Sequence, residues 1–256
     1  MSILKKLRDS STADTSKDLE DYSGGGFVKE SGVYDVVINK AFLVEAGSGA
    51  IGIYLNYGGD IMFEETMYIS KANGETFYEK NGKEFSMPSY ILAKKMNYLL
   101  TGTFVSSAAE FKVEERLVKH YKLVEDPENE GKKKRVESEI QAEVLTEWIN
   151  QPMKLAIQMA EQEKREQKDD KWVGTGEVSA DKDGNPYLEA NPIDVFSHNG
   201  YSANELVKES EPVALAKTIE RLEKTPIRKL KAKKPKASGS KPSDGSTANK
   251  PKPSVF

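Results

Sequence analysis

Glycine-rich breaks divide residues 32–102 into three strand-length runs, and this punctuation constrains the fold more than any other feature of the chain. Gly47-Ser48-Gly49 ends a first run, residues 33–45, and Gly58-Gly59-Asp60 separates a second, residues 51–57, from a third beginning at Ile61. Glycine reaches the positive φ angles that tight turns demand, so the three runs predict an antiparallel meander joined by short hairpin loops. In the first run Tyr34, Val36, Ile38, Phe42 and Val44 share one parity; the other mixes Asp35, Asn39 and Glu45 with Val33, Val37 and Leu43. A long run with apolar residues on both parities suits a curved strand with mixed faces. In the second, Ile51, Ile53, Leu55 and Tyr57 alternate with Gly52, Tyr54 and Asn56. In the third, Ile61, Phe63, Met67 and Ile69 share a face on which Glu65 is a misfit, and Met62, Glu64, Thr66 and Tyr68 take the other.

Beyond the meander, residues 71–88 are polar and contain Asn73-Gly74 and Asn81-Gly82, which predicts a hairpin-like excursion. Residues 89–100 carry an apolar stripe of Ile91, Leu92, Met96, Leu99 and Leu100, with Gly102 as a helix stop. A helix between a third and a fourth strand is the usual layout of an OB barrel. Residues 116–124 read as the fourth strand, 126–135 as a charged loop, 144–150 as a short helix carrying Trp148, and 152–160 as a strand. Residues 161–186 are too polar for core and read as an extended hairpin or loop, while 187–196 return to the sheet. Ser202 and Glu205 form a capping box at a helix start, and a second helix opens at Glu211-Pro212 with Leu215, Ile219 and Leu222 on one stripe. The expected fold is mainly β: an OB-like five-stranded Greek-key barrel with a helix between strands 3 and 4, elaborated loops and C-terminal helices. It occupies residues 27–223, between a flexible arm at 1–26 and a disordered Lys/Pro/Ser tail at 224–256.

Charge is distributed unevenly. Residues 224–256 hold ten Lys or Arg against one Asp, leaving 28 basic and 40 acidic residues of the chain's 38 and 41 in the rest. An anionic partner must then be met by a local patch on an acidic body, with help from the basic tail. The chain has no Cys, which excludes disulfides, thiol nucleophiles and Cys metal sites. No apolar run approaches the roughly 18 residues that span a bilayer, and the first residues lack the apolar stretch of a secretory signal. His120 and His198 have no Ser or carboxylate at a triad-like spacing, and no phosphate loop, dinucleotide fingerprint or metal-ligand cluster occurs. These observations predict a protein without catalytic residues, metal or cofactor. A nuclease using the acidic runs at 126–135 and 161–170 is the less favoured reading, because those carboxylates lie in low-complexity segments.

Tyr54 and Tyr68 sit on the parity opposite an apolar face. There a ring can stack on a base, or pack against a neighbouring element with its hydroxyl wet. Phe77 and Tyr78, in the polar excursion, can close over a strand or anchor the loop; Lys71, Lys80 and Lys83 surround them. Arg116, Lys119 and Lys122 lie on the expected fourth strand, where they either line a groove or are simply solvated. Tyr57 shares parity with Ile53 and Leu55 and reads as core. Trp148 reads as buried between its helix and the barrel. Trp172 lies in a polar stretch, where stacking on a base, capping the barrel and a dimer contact all stay open.

The blocks SGVYDVVINKAFL, EETMYISKANGETFYEKNGKEFSMP and the helix ending LLTG, then VLTEWINQPMKLAIQ, KWVGTGEV and NPIDVFSHNGYSANEL, run in order across roughly residues 30–230. Together they resemble the single-stranded DNA-binding proteins of tailed bacteriophages. That resemblance implies an OB-type fold binding single strands during phage DNA replication, recombination and repair, in the cytoplasm of an infected bacterial host. For N4-like members it also implies transcription activation through the host RNA polymerase. Replication or recombination proteins and that polymerase are the implied protein partners, reached through the C-terminal tail. One departure stands out: where many such proteins end in an acidic tip with a terminal Phe, this chain ends KPKPSVF, so Phe256 is kept and the acid is replaced by base.

Overall fold

The computed structural model describes residues 26–125, 133–168 and 171–230. A short strand β1 (Gly26–Phe27) precedes the predicted meander of β2 (Gly32–Glu45), β3 (Ile51–Gly59) and β4 (Ile61–Tyr68). A hairpin of β5 (Phe77–Lys80) and β6 (Lys83–Ser86) leads into helix α1 (Pro88–Thr101). A second hairpin, β7 (Glu114–Glu125) and β8 (Lys133–Val144), is followed by β9 (Pro152–Glu161). A third, β10 (Glu163–Lys168) and β11 (Lys171–Val178), precedes β12 (Leu188–Ser197). Helices α2 (Ala203–Val207) and α3 (Ala214–Lys224) and strand β13 (Ile227–Arg228) complete the order.

The fold is mainly β and largely antiparallel. β2 organises it: one edge pairs with β3 along Val36–Glu45, and the other pairs with β9 along Gly32–Val37 before touching β8 at Phe42–Val144. The strand path β4-β3-β2-β9-β12 carries the main core, with β1 parallel on the outer edge of β4. Among the described residues no ladder joins β4 to β12, so the expected five-stranded barrel is not closed. The fourth strand of this path is β9. The expectation that residues 116–124 fill that place is corrected, because β7 pairs only with β8 in a projecting hairpin. Residues 133–135, expected in a charged loop, belong to β8; residues 126–132 lie outside the described residues.

A bulge between Ile38 and Lys40 reverses the parity of β2. Val36 and Ile38 therefore share the core with Ala41, whereas Phe42 faces outward, contrary to the single parity read along the run. Ile53, Leu55, Tyr57, Met96, Leu145, Trp148, Met153, Leu155 and Ile157 fill the main core between sheet and helix. Trp148 is buried as expected, on a 3-10 turn at Thr146–Trp148. Its indole donates to Asn97 Oδ1 at 3.1 Å, meeting the need of a buried N–H for a partner. In α1 the buried residues are Tyr90, Leu92, Ala93, Met96 and Asn97, and Ile91 is exposed, so the stripe is rotated from the one expected. Gly102 ends the helix at φ 71°, its N–H bonded to Tyr98 O.

The outer face of β9 is covered by α3 through Ala156, Phe196 and Leu222; Ile219, expected on that stripe, is exposed. The capping box of Ser202 and Glu205 forms at α2. The folded chain continues past residue 223: β13 pairs parallel with β9, and Ser31 Oγ, which accepts from Met159 N, donates to Pro226 O at the junction of β2 and β13. The arm at 1–25 and the tail at 231–256 lie outside the described residues. No helix among the described residues is long and apolar enough to cross a membrane.

Candidate nucleic-acid interface

The excursion at residues 71–88 folds into the feature with the clearest division of chemistry. Asn81 and Gly82 both hold positive φ, 55° and 69°, the requirement of a two-residue hairpin turn whose twist matches its strands. That turn fixes the register: Lys80 faces Lys83, Glu79 faces Glu84, Tyr78 faces Phe85 and Phe77 faces Ser86. Side chains alternate along a strand, so Tyr78, Phe85, Lys80 and Lys83 share one face while Phe77, Glu79, Glu84 and Ser86 share the other. Tyr78 and Phe85 are 38% and 44% exposed, and their rings lie 5.8 Å apart with planes 25° from parallel. Among the described residues, neither Lys80 nor Lys83 has a carboxylate partner. Like charges directly opposite each other destabilise a hairpin, so the folding of this one gains nothing from its paired lysines.

Beside the hairpin, Lys71 is engaged. Its ammonium lies 2.7 Å from Glu75 Oε2 and 5.6 Å from the centre of the Phe77 ring. The hydrogen bond from Lys71 holds the Glu75 carboxyl below its ordinary range. Phe77 is half-buried and Tyr78 exposed, so of the two it is Phe77 that packs inward.

The sheet contributes less than its sequence suggests. Tyr68 stands exposed at the end of β4, with its ring across Gly52: a Cβ at Gly52 would fall 3.2 Å from the Tyr68 ring and 2.7 Å from the Thr66 methyl. Asn39 donates to Asn56, and Asn56 to Glu64, each at 3.0 Å, forming a polar ladder across the outer face. The expectation that Tyr54 stands open on that face is corrected, because Tyr54 is buried. The β7–β8 hairpin folds over it, and its ring lies 4.8 Å from Phe42 and 4.9 Å from His120. Tyr57 is in the core, as its parity implied, and its hydroxyl donates to Glu65.

Arg116 does not line an open groove. It lies on the covering hairpin and binds Glu114 through two hydrogen bonds. Lys119 is exposed on the opposite, outward face of β7, across from Glu139. Lys122 and Trp172 are placed by their backbones on β7 and β11, and their side chains lie outside the described residues. The structure therefore places Tyr78, Lys80 and Lys83 on one face of the hairpin and Phe77, with Lys71 beside it, on the other; Tyr68 stands on the outer face of β4, and Tyr54, Arg116 and Lys119 belong to the region of the β7–β8 hairpin.

Phe85 is the aromatic that sequence reading passed over. Its signal lay in the register: a two-residue Asn-Gly turn pairs residue 78 with 85. On the β7–β8 hairpin, Glu115 lies directly opposite Glu143. Burial, with the charge of Glu115 added, pushes the Glu143 carboxyl up to about 7. Among the described residues no group of three or more His, Asp or Glu is placed to hold a metal ion. No protein-family model matches this chain, and neither a curated protein nor a solved structure shows significant similarity to it.

Proposed function

We propose that this chain binds single-stranded DNA with little sequence preference, by stacking bases on exposed aromatic rings and meeting phosphates with lysine. The observation that carries this reading is the one face of the β5–β6 hairpin on which Tyr78, Phe85, Lys80 and Lys83 lie together, with the hairpin's two glutamates on the other. Every base has a π-face, so stacking of this kind is tolerant of sequence, and each stacked base contributes about 1–3 kcal/mol. Ammonium groups without carboxylate partners are available for phosphates. Such contacts release counterions and make affinity fall with salt.

An OB-like reading of the fold accompanies this one. The path β4-β3-β2-β9-β12, with α1 between β4 and β9, has the strand order of a small Greek-key barrel left open on one side, an architecture often used for oligonucleotides. Tyr68, exposed on the outer face of β4, is a further ring on which a base can stack. Binding protects the strand and hydrolyses nothing; a role in phage replication, recombination and repair is what the resemblance noted above implies. The basic tail adds phosphate contacts or reaches a partner such as the host RNA polymerase.

The test is a titration of the pure protein with a fluorescently labelled oligo-dT at two salt concentrations. Saturable binding that weakens at the higher salt is expected. Absence of binding, or an affinity indifferent to salt, overturns the proposal; cleavage of the oligonucleotide in the presence of divalent metal overturns its non-enzymatic part.

A further inference from the structure

The other face of the same hairpin closes one side of a second feature. Between it, α1 and the loop after α1 lies an open cleft of about 540 Å³, lined by Thr76, Phe77, Glu84, Ser86, Lys94 and Ser106 among others. That volume falls within the range of small-ligand sites. The Lys94 ammonium sits 5.0 Å from the centre of the Tyr90 ring and 5.8 Å from that of Phe104, and has no carboxylate partner among the described residues. Attraction between a cation and two ring faces holds it at the cleft wall.

Phe104 is 66% exposed, the most exposed large hydrophobic residue described. It does not project from a slack loop. Just before it, Thr103 O accepts from Asn97 Nδ2 at 2.8 Å, and Asn97 is itself tied to Trp148. Just after it, Val105 is buried, and Glu110 accepts from the amide and hydroxyl of Ser106. The phenyl ring is thus held out in water by neighbours fixed in the core, an arrangement that lowers the ordering cost of binding.

We infer that this cleft holds one nucleotide of the bound strand, with Phe77 supplying ring contact for its base, Lys94 charge for its phosphate, and Phe104, whose ring centre lies 5.8 Å from that ammonium, a further exposed ring for the strand beside it. Glu84 gives the cleft a carboxylate acceptor for the exocyclic amine of cytosine, adenine or guanine; thymine has no such group. The site therefore adds a slight preference, a few fold, for cytosine over thymine. This inference rests on the single-strand reading and places a second contact on the opposite side of the hairpin from Tyr78 and Phe85.

The experiment compares affinities for oligo-dC and oligo-dT at neutral pH in the wild type, Phe104→Ala, Lys94→Gln, Glu84→Ala and the double variant Tyr78→Ala/Phe85→Ala, with thermal melts on each. Phe104→Ala and Lys94→Gln are expected to melt with the wild type and to bind both oligonucleotides about tenfold more weakly, while Glu84→Ala, which removes the acceptor that a glutamine would keep, abolishes the preference for dC. If both cleft variants bind like the wild type while the Tyr78/Phe85 variant is weakened, the cleft inference falls and the single-strand reading stands. If the wild type binds neither oligonucleotide, both fall. A wild type that does not favour dC overturns the role given to Glu84.

Discussion

The Tyr57 hydroxyl donates to Oε1 of Glu65 at 3.0 Å, joining a core ring of β3 to the carboxylate that interrupts the apolar face of β4. Burial pushes the Glu65 carboxyl up to about 7, and the hydrogen bond from Tyr57 pulls less strongly the other way. Between about pH 4.5 and 7 the folded protein then holds a proton that the unfolded chain has released. Stability attributable to Glu65 is therefore greatest at acid pH and falls as pH rises through that window. Glu65→Gln keeps an acceptor for Tyr57 and removes the charge. Because the side chain retains some contact with solvent, a gain of about 1–2 kcal/mol at pH 8 is expected, with little change at pH 4.5. Urea melts at the two pH values measure it, and equal shifts at both would remove titration of Glu65 as the cause.

Tyr78 and Phe85 are exposed and bear on no core cluster, so replacing both with alanine should leave the fold intact. Loss of about 1–3 kcal/mol of stacking predicts affinity for single-stranded DNA lower by roughly five- to 150-fold. Fluorescence anisotropy with labelled oligo-dT reads the change, and circular dichroism checks the fold. An unaltered affinity moves the interface off the hairpin.

Lys80 and Lys83 test the same face by charge. If each neutralises one phosphate, the double variant Lys80→Ala/Lys83→Ala should flatten the slope of log affinity against log salt by about 1.4 in magnitude. Binding weakened without a change of slope would mean that the lysines act through the shape of the hairpin and not as phosphate contacts.

The meander was legible because glycine punctuation and period-two alternation are local signals, and the Asn81-Gly82 turn was legible for the same reason. What escaped was non-local. The bulge at Asn39 adds one residue to β2 and reverses every side chain after it, and nothing in an unbroken apolar run marks the position. Its surroundings are visible only in three dimensions: Asn39 lies so close to β3 that a Cβ on Gly58 would fall 2.8 Å from its amide nitrogen. Likewise Tyr54 has the parity of an exposed residue, but its burial is decided some 60 residues later by a hairpin whose second strand alternates charged or polar residues with Val136, Ile140, Ala142 and Val144, a local pattern that does not say which strand it will cover. Of the residues in the proposed interface, Tyr78, Lys80 and Lys83 follow from composition, whereas Phe85 required the register and Phe104 the burial of its neighbours.

Tyr54 and Tyr68 separate packing from binding. Tyr54→Ala removes a ring enclosed by Phe42 and His120 and should cost about 3 kcal/mol of stability, with the affinity of the folded fraction unchanged. Tyr68→Ala removes a ring that is 43% exposed and lies over Gly52; it should cost under about 1 kcal/mol and weaken DNA binding several fold. Denaturant melts and oligo-dT titrations on both variants read the two quantities, and a stable Tyr54→Ala protein with weakened binding would reverse the assignment.

Glu205 shows how a buried carboxylate can serve the fold where Glu65 burdens it. Oε2 accepts from the amide and hydroxyl of Ser202, both at 2.8 Å, and Oε1 accepts from the amides of Val213 and Ala214 at 2.8 and 2.7 Å, tying α2 to the start of α3. Burial alone would raise its pKa; the hydrogen bonds from Ser202, Ala214 and Val213 outweigh that, and the carboxyl is held below its ordinary value. The folded state thus favours the charged form, so its stabilisation is present above about pH 4.5 and is lost as pH falls through the lowered folded value. Glu205→Ala leaves the amides of Ser202, Val213 and Ala214 without their acceptor and should cost about 2–3 kcal/mol at pH 7. The same substitution should cost less at pH 3, where the wild type is itself losing the charge. Because α3 covers β9 through Leu222, the loss should also speed amide exchange in β9 and β13, and exchange left unchanged there would show that α3 stays docked without its carboxylate tie.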